Sequence, residues 1–286
     1  MYIFNLMGMW LSGRKKKVAV VAGVLALGVA GGAAYYMLDT DQKSGPSKIY
    51  SEYTLIAIED DQPILYYYDL KGENASPIQE GVITGNMEAY DFEALTIAPD
   101  GSVFIVNNDS TTKLYRIDVS ELDGNPNTPV GATFIGDTGI SVIDGAKVCS
   151  LRFIDGQLYG VGNVSKILYK FNLTYGYARE VTKLKVSGHF RVDGLTQGAD
   201  GQIYLLRSRS KNSELWKFKN FFKGEIVKVL VIEGSRKAEA ISSHIDGFIY
   251  VSDDERLFKI DPKTYNITVD KVHGYDIEGM DFWKVN

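Results

Sequence analysis

Short runs of alternating apolar and polar residues, separated by turn residues, repeat along most of the chain. One element reads ILYYYD (64–69), KLYRID (113–118), ILYKFN (167–172), ELWKFK (214–219) and RLFKID (256–261). In each, a leucine and an aromatic are followed by a basic or aromatic residue and then an apolar one. This period-2 pattern predicts a strand packed on one or both faces. The copies start at Ile64, Lys113, Ile167, Glu214 and Arg256, and these intervals are of propeller-blade length.

A second unit precedes four of the five copies: APDGSVFIV (98–106), FIDGQLYGV (153–161), GADGQIYLL (198–206) and HIDGFIYVS (244–252). Asp-Gly between apolar runs is a hairpin signal, because glycine takes the positive φ of a tight turn without steric cost. Upstream of each lies a third unit, a short apolar strand: FEALTI (92–97), CSLRF (149–153), VDGLT (192–196) and AEAIS (238–242). A looser β segment, such as EIVKVLVI (225–232) or NITVDKV (266–272), follows the aromatic element. Each repeat is therefore predicted to hold four strands. Four-stranded units at this period cannot bury both faces alone and stack on their neighbours as a β-propeller.

The first repeat has YTLIAIED (53–60) before ILYYYD, but nothing upstream of it resembles FEAL or AEAI. The missing innermost strand is supplied by IEGMDF (277–282), at the far end of the chain. The prediction is an all-β, five-bladed propeller over residues 49–286, closed by the C-terminal strand, which also removes exposed sheet edges. The stretch 120–147 is long enough to hide an extra hairpin.

The segment before Asp39 follows a different pattern. From Val18 to Leu38 the chain carries no charge. At a helical rise of about 1.5 Å per residue, that run matches a hydrocarbon core of about 30 Å. Arg14, Lys15, Lys16 and Lys17 precede it, and Asp39 and Asp41 follow. The positive-inside rule then makes 1–17 a cytoplasmic segment, 18–38 a transmembrane signal-anchor, and 39–48 a linker to a propeller outside. A cleaved signal peptide is the competing reading, with Gly32 and Ala34 as small residues for cleavage. The long apolar leader MYIFNLMGMWLSG favours the anchor.

Composition agrees with a β protein: 45% of residues are apolar, 12% are aromatic, and there are 29 glycines. Setting aside the four basic residues before position 39 leaves 27 basic against 36 acidic, a net charge of −9 outside. So acidic a domain is a poor fit for nucleic acid and suits cations or basic partners. With Cys149 alone there is no intramolecular disulfide, so the core must hold the fold.

Aligning the innermost strands on Leu95, Leu151, Leu195, Ile241 and Met280 places Glu93, Cys149, Asp193, Glu239 and Glu278 two residues earlier. Four of these five positions are acidic, and innermost strands line the channel. Like charges about 6 Å apart, at an effective dielectric near 20, repel by roughly 3 kcal/mol per pair. A bound cation, a basic neighbour or a proton must relieve that repulsion. An all-oxygen ligand set suits Ca²⁺, held by Glu93, Asp193, Glu239 and Glu278, with Cys149 a bystander. Pairing with Arg152, Arg191 or Lys237 is the alternative, although these neighbours are expected on the other strand face.

The motifs EGM (278–280), EAL (93–95), DGL (193–195) and EAI (239–241) resemble the inner strands of esterase-like, phytase-like and SdiA-regulated propellers. Five-bladed calcium apyrases are similar in blade number and in placing acids around a central calcium. The resemblance covers about residues 53–286. It implies Ca²⁺ binding at Glu93, Asp193, Glu239 and Glu278 and, in some members, hydrolysis of lactones or phosphate esters. Cys149 departs from a fully acidic ring.

His189, His244 and His273 lack metal-ligand spacing, and G-x-S-x-G, P-loop and G-x-G-x-x-G motifs are absent. Arg207 and Arg209 end a second strand and could face a ligand, although a solvated loop is the simpler reading. The expected function is a membrane-anchored, extracytoplasmic binding module with Ca²⁺ in its channel and a protein or glycan partner on a loop face. Two alternatives stay open: a Ca²⁺-dependent hydrolase using the axial acids, and a surface spike of a membrane-containing virus.

Overall fold

The computed structural model describes residues 54–59, 62–70, 77–85, 87, 90–119, 128–143, 146–273 and 276–283. All fall within one compact unit, Lys43–Asn286. The predicted span 18–38, its flanks and the linker 39–48 lie outside the described residues, among which no helix is long and apolar enough to cross a membrane.

The described residues fold into strands joined by turns and short loops. The first seven are β1 (Thr54–Glu59), β2 (Ile64–Asp69), β3 (Pro77–Thr84), β4 (Phe92–Ile97), β5 (Val103–Asn108), β6 (Thr111–Asp118) and β7 (Thr128–Ser141). Next come β8 (Val148–Ile154), β9 (Gln157–Gly162), β10 (Ile167–Phe171) and β11 (Ala178–Lys183). Then follow β12 (Gly194–Gln197), β13 (Ile203–Arg207), β14 (Asn212–Asn220) and β15 (Glu225–Glu233). The last five are β16 (Ala240–Ser243), β17 (Ile249–Ser252), β18 (Arg256–Ile260), β19 (Ile267–Val272) and β20 (Ile277–Phe282).

Three sheets are simple antiparallel meanders of four strands: β8 to β11, β12 to β15, and β16 to β19. The fourth has eight strands in the order β20-β1-β2-β3-β7-β6-β5-β4. Its two halves are antiparallel ladders of four, joined where β3 and β7 pair in parallel. Of the stretch 120–147, residues 120–127 and 144–145 lie outside the described residues, and the described part holds no separate hairpin. Instead β7 runs for 14 residues, long enough to pair with both β6 and β3.

Local chemistry explains the meanders. Gly101, Gly156, Gly201 and Gly247 of the Asp-Gly turns all have positive φ, which glycine adopts without a Cβ clash. Beside three of them the aspartate stiffens the turn by accepting the amide two residues on. Asp100 accepts from Ser102, Asp200 from Gln202 and Asp246 from Phe248, at 3.0 Å each. Tyr204 and Tyr250 also donate their hydroxyls to Asp200 and Asp246, at 2.8 and 3.0 Å. Four aromatic elements share a further feature. The register with the outermost strand shifts at the leucine–aromatic step, at Leu114/Tyr115, Leu168/Tyr169, Leu215/Trp216 and Leu257/Phe258. The extra residue bends and twists each outer edge.

Side chains alternate between neighbouring ladders. On β13, Leu205 packs with Val161 and Leu168 of the preceding sheet, while Tyr204 and Leu206 pack with Val251 and Phe258 of the next. Each ladder thus buries both faces, at roughly 25 cal/mol per Å² of apolar surface removed from water.

The C-terminal strand pairs antiparallel with β1, Ala57 opposite Met280 and Leu55 opposite Phe282. It also packs beside β4 and β16, so β20, β4, β8, β12 and β16 follow one another around a closed ring. Gly279 makes that approach feasible. A Cβ there would lie 2.6 Å from the Leu95 amide nitrogen and 2.9 Å from the Ala94 carbonyl carbon, backbone that has no room to yield.

Candidate functional site

The ring of inner strands surrounds a pocket bounded by Leu95, Leu151, Leu195, Ile241 and Met280, with Cys149, Asp193, Glu239 and Glu278 also facing it. Three of the four acids chosen from the sequence line this space, and Glu93 reaches it through Cys149. All four are buried, with exposures of 4% for Glu93, 2% for Asp193, 9% for Glu239 and 7% for Glu278.

Hydrogen bonds and ion pairs link them in an arc around the channel. Lys147 forms an ion pair with Glu93 and another, at 2.8 Å, with Asp91. The Cys149 thiol donates to Glu93 Oε2 at 2.7 Å. Asn163 Nδ2 donates to Cys149 Sγ at 3.2 Å and to Asp193 Oδ1 at 3.4 Å. Arg191 gives Nε to Asp193 Oδ1 at 2.5 Å and Nη2 to Glu239 Oε1 at 3.0 Å. The Ser208 amide donates to Asp193 Oδ2 at 2.7 Å. Glu239 and Glu278 share a hydrogen bond.

Two expectations are corrected here. Arg191 was expected to point away from the acids, yet it bridges two of them. It stands two residues before Asp193, on the same parity, in a segment that is not yet strand. Cys149, expected to be a bystander, connects Glu93 to Asn163. Burial pushes its thiol pKa up, so it is held as a neutral hydrogen-bonding group and not as a thiolate.

The same burial raises the acids. Glu239 is raised from 4.5 to about 7, first by desolvation and further by the charges of Asp193 and Asp276, against the opposing pull of Glu278 and Arg191. Asp193 is also raised by desolvation, with Arg191 and the Ser208 amide opposing. Beyond Glu239 lie Asp254 and Asp276, and one carboxylate oxygen from each of the three falls within 4.8 Å of the others. Asp276 is raised by burial and by the charge of Asp254, with Lys237 opposing. Sequence reasoning missed this pair. Asp276 was recoverable, standing two residues before Glu278, whereas Asp254 comes from the β17–β18 turn, where alternation says nothing.

A second polar layer lies one residue past the aliphatic positions. Arg152, one after Leu151, reaches across the ring to strands that are not its neighbours. Its Nη1 donates to Asp281 Oδ1 at 2.6 Å and to Ser242 Oγ at 3.3 Å, and its Nη2 to Ser243 Oγ at 3.1 Å. Asp281 Oδ1 also accepts from Ser242 Oγ at 2.6 Å and from the Phe282 amide at 2.9 Å. Asp281 Oδ2 accepts from Thr96 Oγ1 at 3.1 Å and from the Ile97 amide at 2.9 Å.

Two of the histidines, His244 and His273, make contacts within the fold. His244 is buried beside Asp246, with 3.0 Å between Nδ1 and Oδ1, and its ring lies 4.6 Å from that of Phe282. His273 Nε2 lies 2.8 Å from Ser252 Oγ, but Ser252 is fully buried and offers no nucleophile to a substrate outside. His189 is exposed.

No family model matches the chain, and no curated relative matches it. Solved structures do. A protein of unknown function from Bacteroides thetaiotaomicron matches 77% of this chain with a TM-score of 0.55 and 16% identity, and the chain spans 55% of that protein's length. Virginiamycin B lyase from Staphylococcus aureus matches 77% of this chain and 71% of its own at a TM-score of 0.43 and 12% identity. A chain of the nidogen/laminin complex matches 80% of this chain and 84% of its own, at 0.47 and 13%. Identities this low bear on fold and not on activity. With its stacked antiparallel ladders and closed ring of inner strands, the chain has the fold of a β-propeller.

Proposed function

We propose that the chain is a five-bladed propeller, anchored in a membrane by residues 18–38 and facing outward, that works as a binding module with a hard cation at the mouth of its channel. The anchor reading rests on the uncharged run and its basic flank, which set orientation in a bilayer. The blade number is supported by the ring of five inner strands and by clusters packed between successive ladders. A protein or glycan partner on a loop face completes the reading.

The observation that carries the cation is the crowding of acids on one side of the ring. Asp193, Glu239, Glu278, Asp254 and Asp276 meet three basic groups, Arg191, Arg207 and Lys237, so carboxyl groups outnumber bases. Glu93 is already paired with Lys147, and Asp193 with Arg191, so the ion is assigned to Glu239 with Glu278 and the rim acids. All-oxygen donors of this kind suit Ca²⁺.

The test is thermal unfolding of the full-length protein in detergent, with EDTA and then with Ca²⁺ added back. A ligand at about a hundred times its dissociation constant adds roughly 2.7 kcal/mol. That corresponds to a rise of about 5–10 °C for a domain of this size. An unchanged midpoint at millimolar Ca²⁺ would remove the ion and leave the acids as structural pairs.

A further inference from the structure

Away from the channel, the charge of one hairpin runs against that of the whole molecule. Residues 207–228 carry seven basic residues (Arg207, Arg209, Lys211, Lys217, Lys219, Lys223 and Lys228) and two acidic ones, Glu214 and Glu225, a net of +5. The chain as a whole has a net of −5, so the remainder stands at −10. Arg207, Arg209 and Lys228 approach Glu214 at 3.0, 3.1 and 3.5 Å, and Trp216 Nε1 donates to it at 3.0 Å. One buried carboxylate therefore holds three cations in place, and two of them, Arg209 and Lys228, have side chains about half exposed.

The same hairpin ends in an open strand. β15 is the outermost strand of its sheet, with only β14 beside it among the described residues. An edge strand presents backbone N–H and C=O groups that another strand can pair. The outer edges β11 and β19 are six residues long and carry charges of both signs, whereas β15 has nine residues and a single interior charge, Lys228. Val231 is exposed there, and Ile226, Val227, Val229 and Leu230 are half-buried. The molecule already uses its outer edges for strand addition, since β3 and β7 pair in parallel.

We propose that the β15 edge is a docking site for an extended acidic segment of a partner protein, which adds as a further strand. Main-chain hydrogen bonds would supply much of the affinity, as in other strand-addition complexes. Carboxylates of the added strand would face Lys228 across the ladder and Lys219 and Lys223 at the hairpin end, where opposite charges stabilise a cross-strand pair. A lipid headgroup or a polyanion could meet the lysines, but neither can satisfy the backbone groups of the edge. That favours a polypeptide.

The probe is a fluorescent twelve-residue peptide of alternating glutamate and valine, titrated against the full-length protein in nonionic detergent. Saturable binding is expected, weakening as salt rises. Methylating alternate peptide amides, which removes strand pairing and keeps the charge, should weaken binding at least tenfold. Lys219→Glu with Lys223→Glu should do the same, and because both lysines are exposed the fold should persist, as checked by circular dichroism. The proposal is overturned if the peptide fails to bind or binds equally well when methylated. It is equally overturned if the double variant binds as tightly as the parent, if heparin or phosphatidylserine vesicles bind where the peptide does not, or if light scattering finds the edge taken by a second copy.

Discussion

Asp281→Leu is expected to destabilise the protein by about 3–5 kcal/mol, the usual cost of breaking a buried ion pair from one side. Five donors converge on this carboxylate: Arg152, Ser242, Thr96 and the amides of Ile97 and Phe282. Asp281 is 1% exposed and Arg152 6%, so the guanidinium would be left charged in a dry interior. The loss also falls at the weakest point of the ring, because β20 closes it without a covalent link to β1. The midpoint of thermal unfolding should drop by about 6–20 °C. Adding Arg152→Met to the variant should recover most of the loss, since an apolar pair of similar volume has no charge to solvate. A single variant that melts within about two degrees of the parent would show that the pair does not hold the ring closed.

Without added cation, stability should fall as pH rises from about 4.5 towards 7. In that window folded Glu239 keeps a proton that the unfolded chain has released, because its pKa is raised from 4.5 to about 7. Its contribution is fully present below the unfolded value and is lost as pH passes the folded one. At about 1.4 kcal/mol per pH unit, the loss is on the order of 3 kcal/mol. Asp193 and Asp276 are raised as well and act with the same sign. Glu239→Gln should flatten the slope and raise stability at pH 7.5, because the amide carries no charge to desolvate. A cation bound to the ionised carboxylates should flatten the slope of the parent too. The measurement is denaturant unfolding across pH 4.5 to 8 in EDTA. Equal slopes for parent and variant would mean that Glu239 is not the group under strain.

Most of the fold was legible because it is local and repeated. Asp-Gly turns, leucine–aromatic strands and short apolar inner strands recur in order, so one blade read correctly fixes the rest. The closing strand was legible from a deficit, a first repeat that lacks its inner strand. The parallel pairing of β3 with β7 was not, since it joins outer edges across two ladders and depends on the length of β7.

Within the site, alternation placed Asp193, Glu239 and Glu278 correctly at the pocket. Their partners escaped it. Arg191 sits before its strand begins, Asn163 comes from the β9–β10 turn, and Lys147 precedes β8. Arg152 and Asp281 are 129 residues apart and meet across the ring. Period-2 reasoning tells which way a residue points along a strand but not which residue it meets across a channel.

Calorimetric titration of Ca²⁺ into the full-length protein at pH 7.5, alongside a Glu239→Gln/Glu278→Gln variant, decides whether the acids at the channel mouth hold an ion. The reading of the channel mouth as a cation site expects saturable binding near one ion per chain in the parent and none in the variant. No binding heat in the parent, or the same isotherm in both proteins, would contradict it and leave Arg191 and Lys147 as the groups that balance the ring of acids.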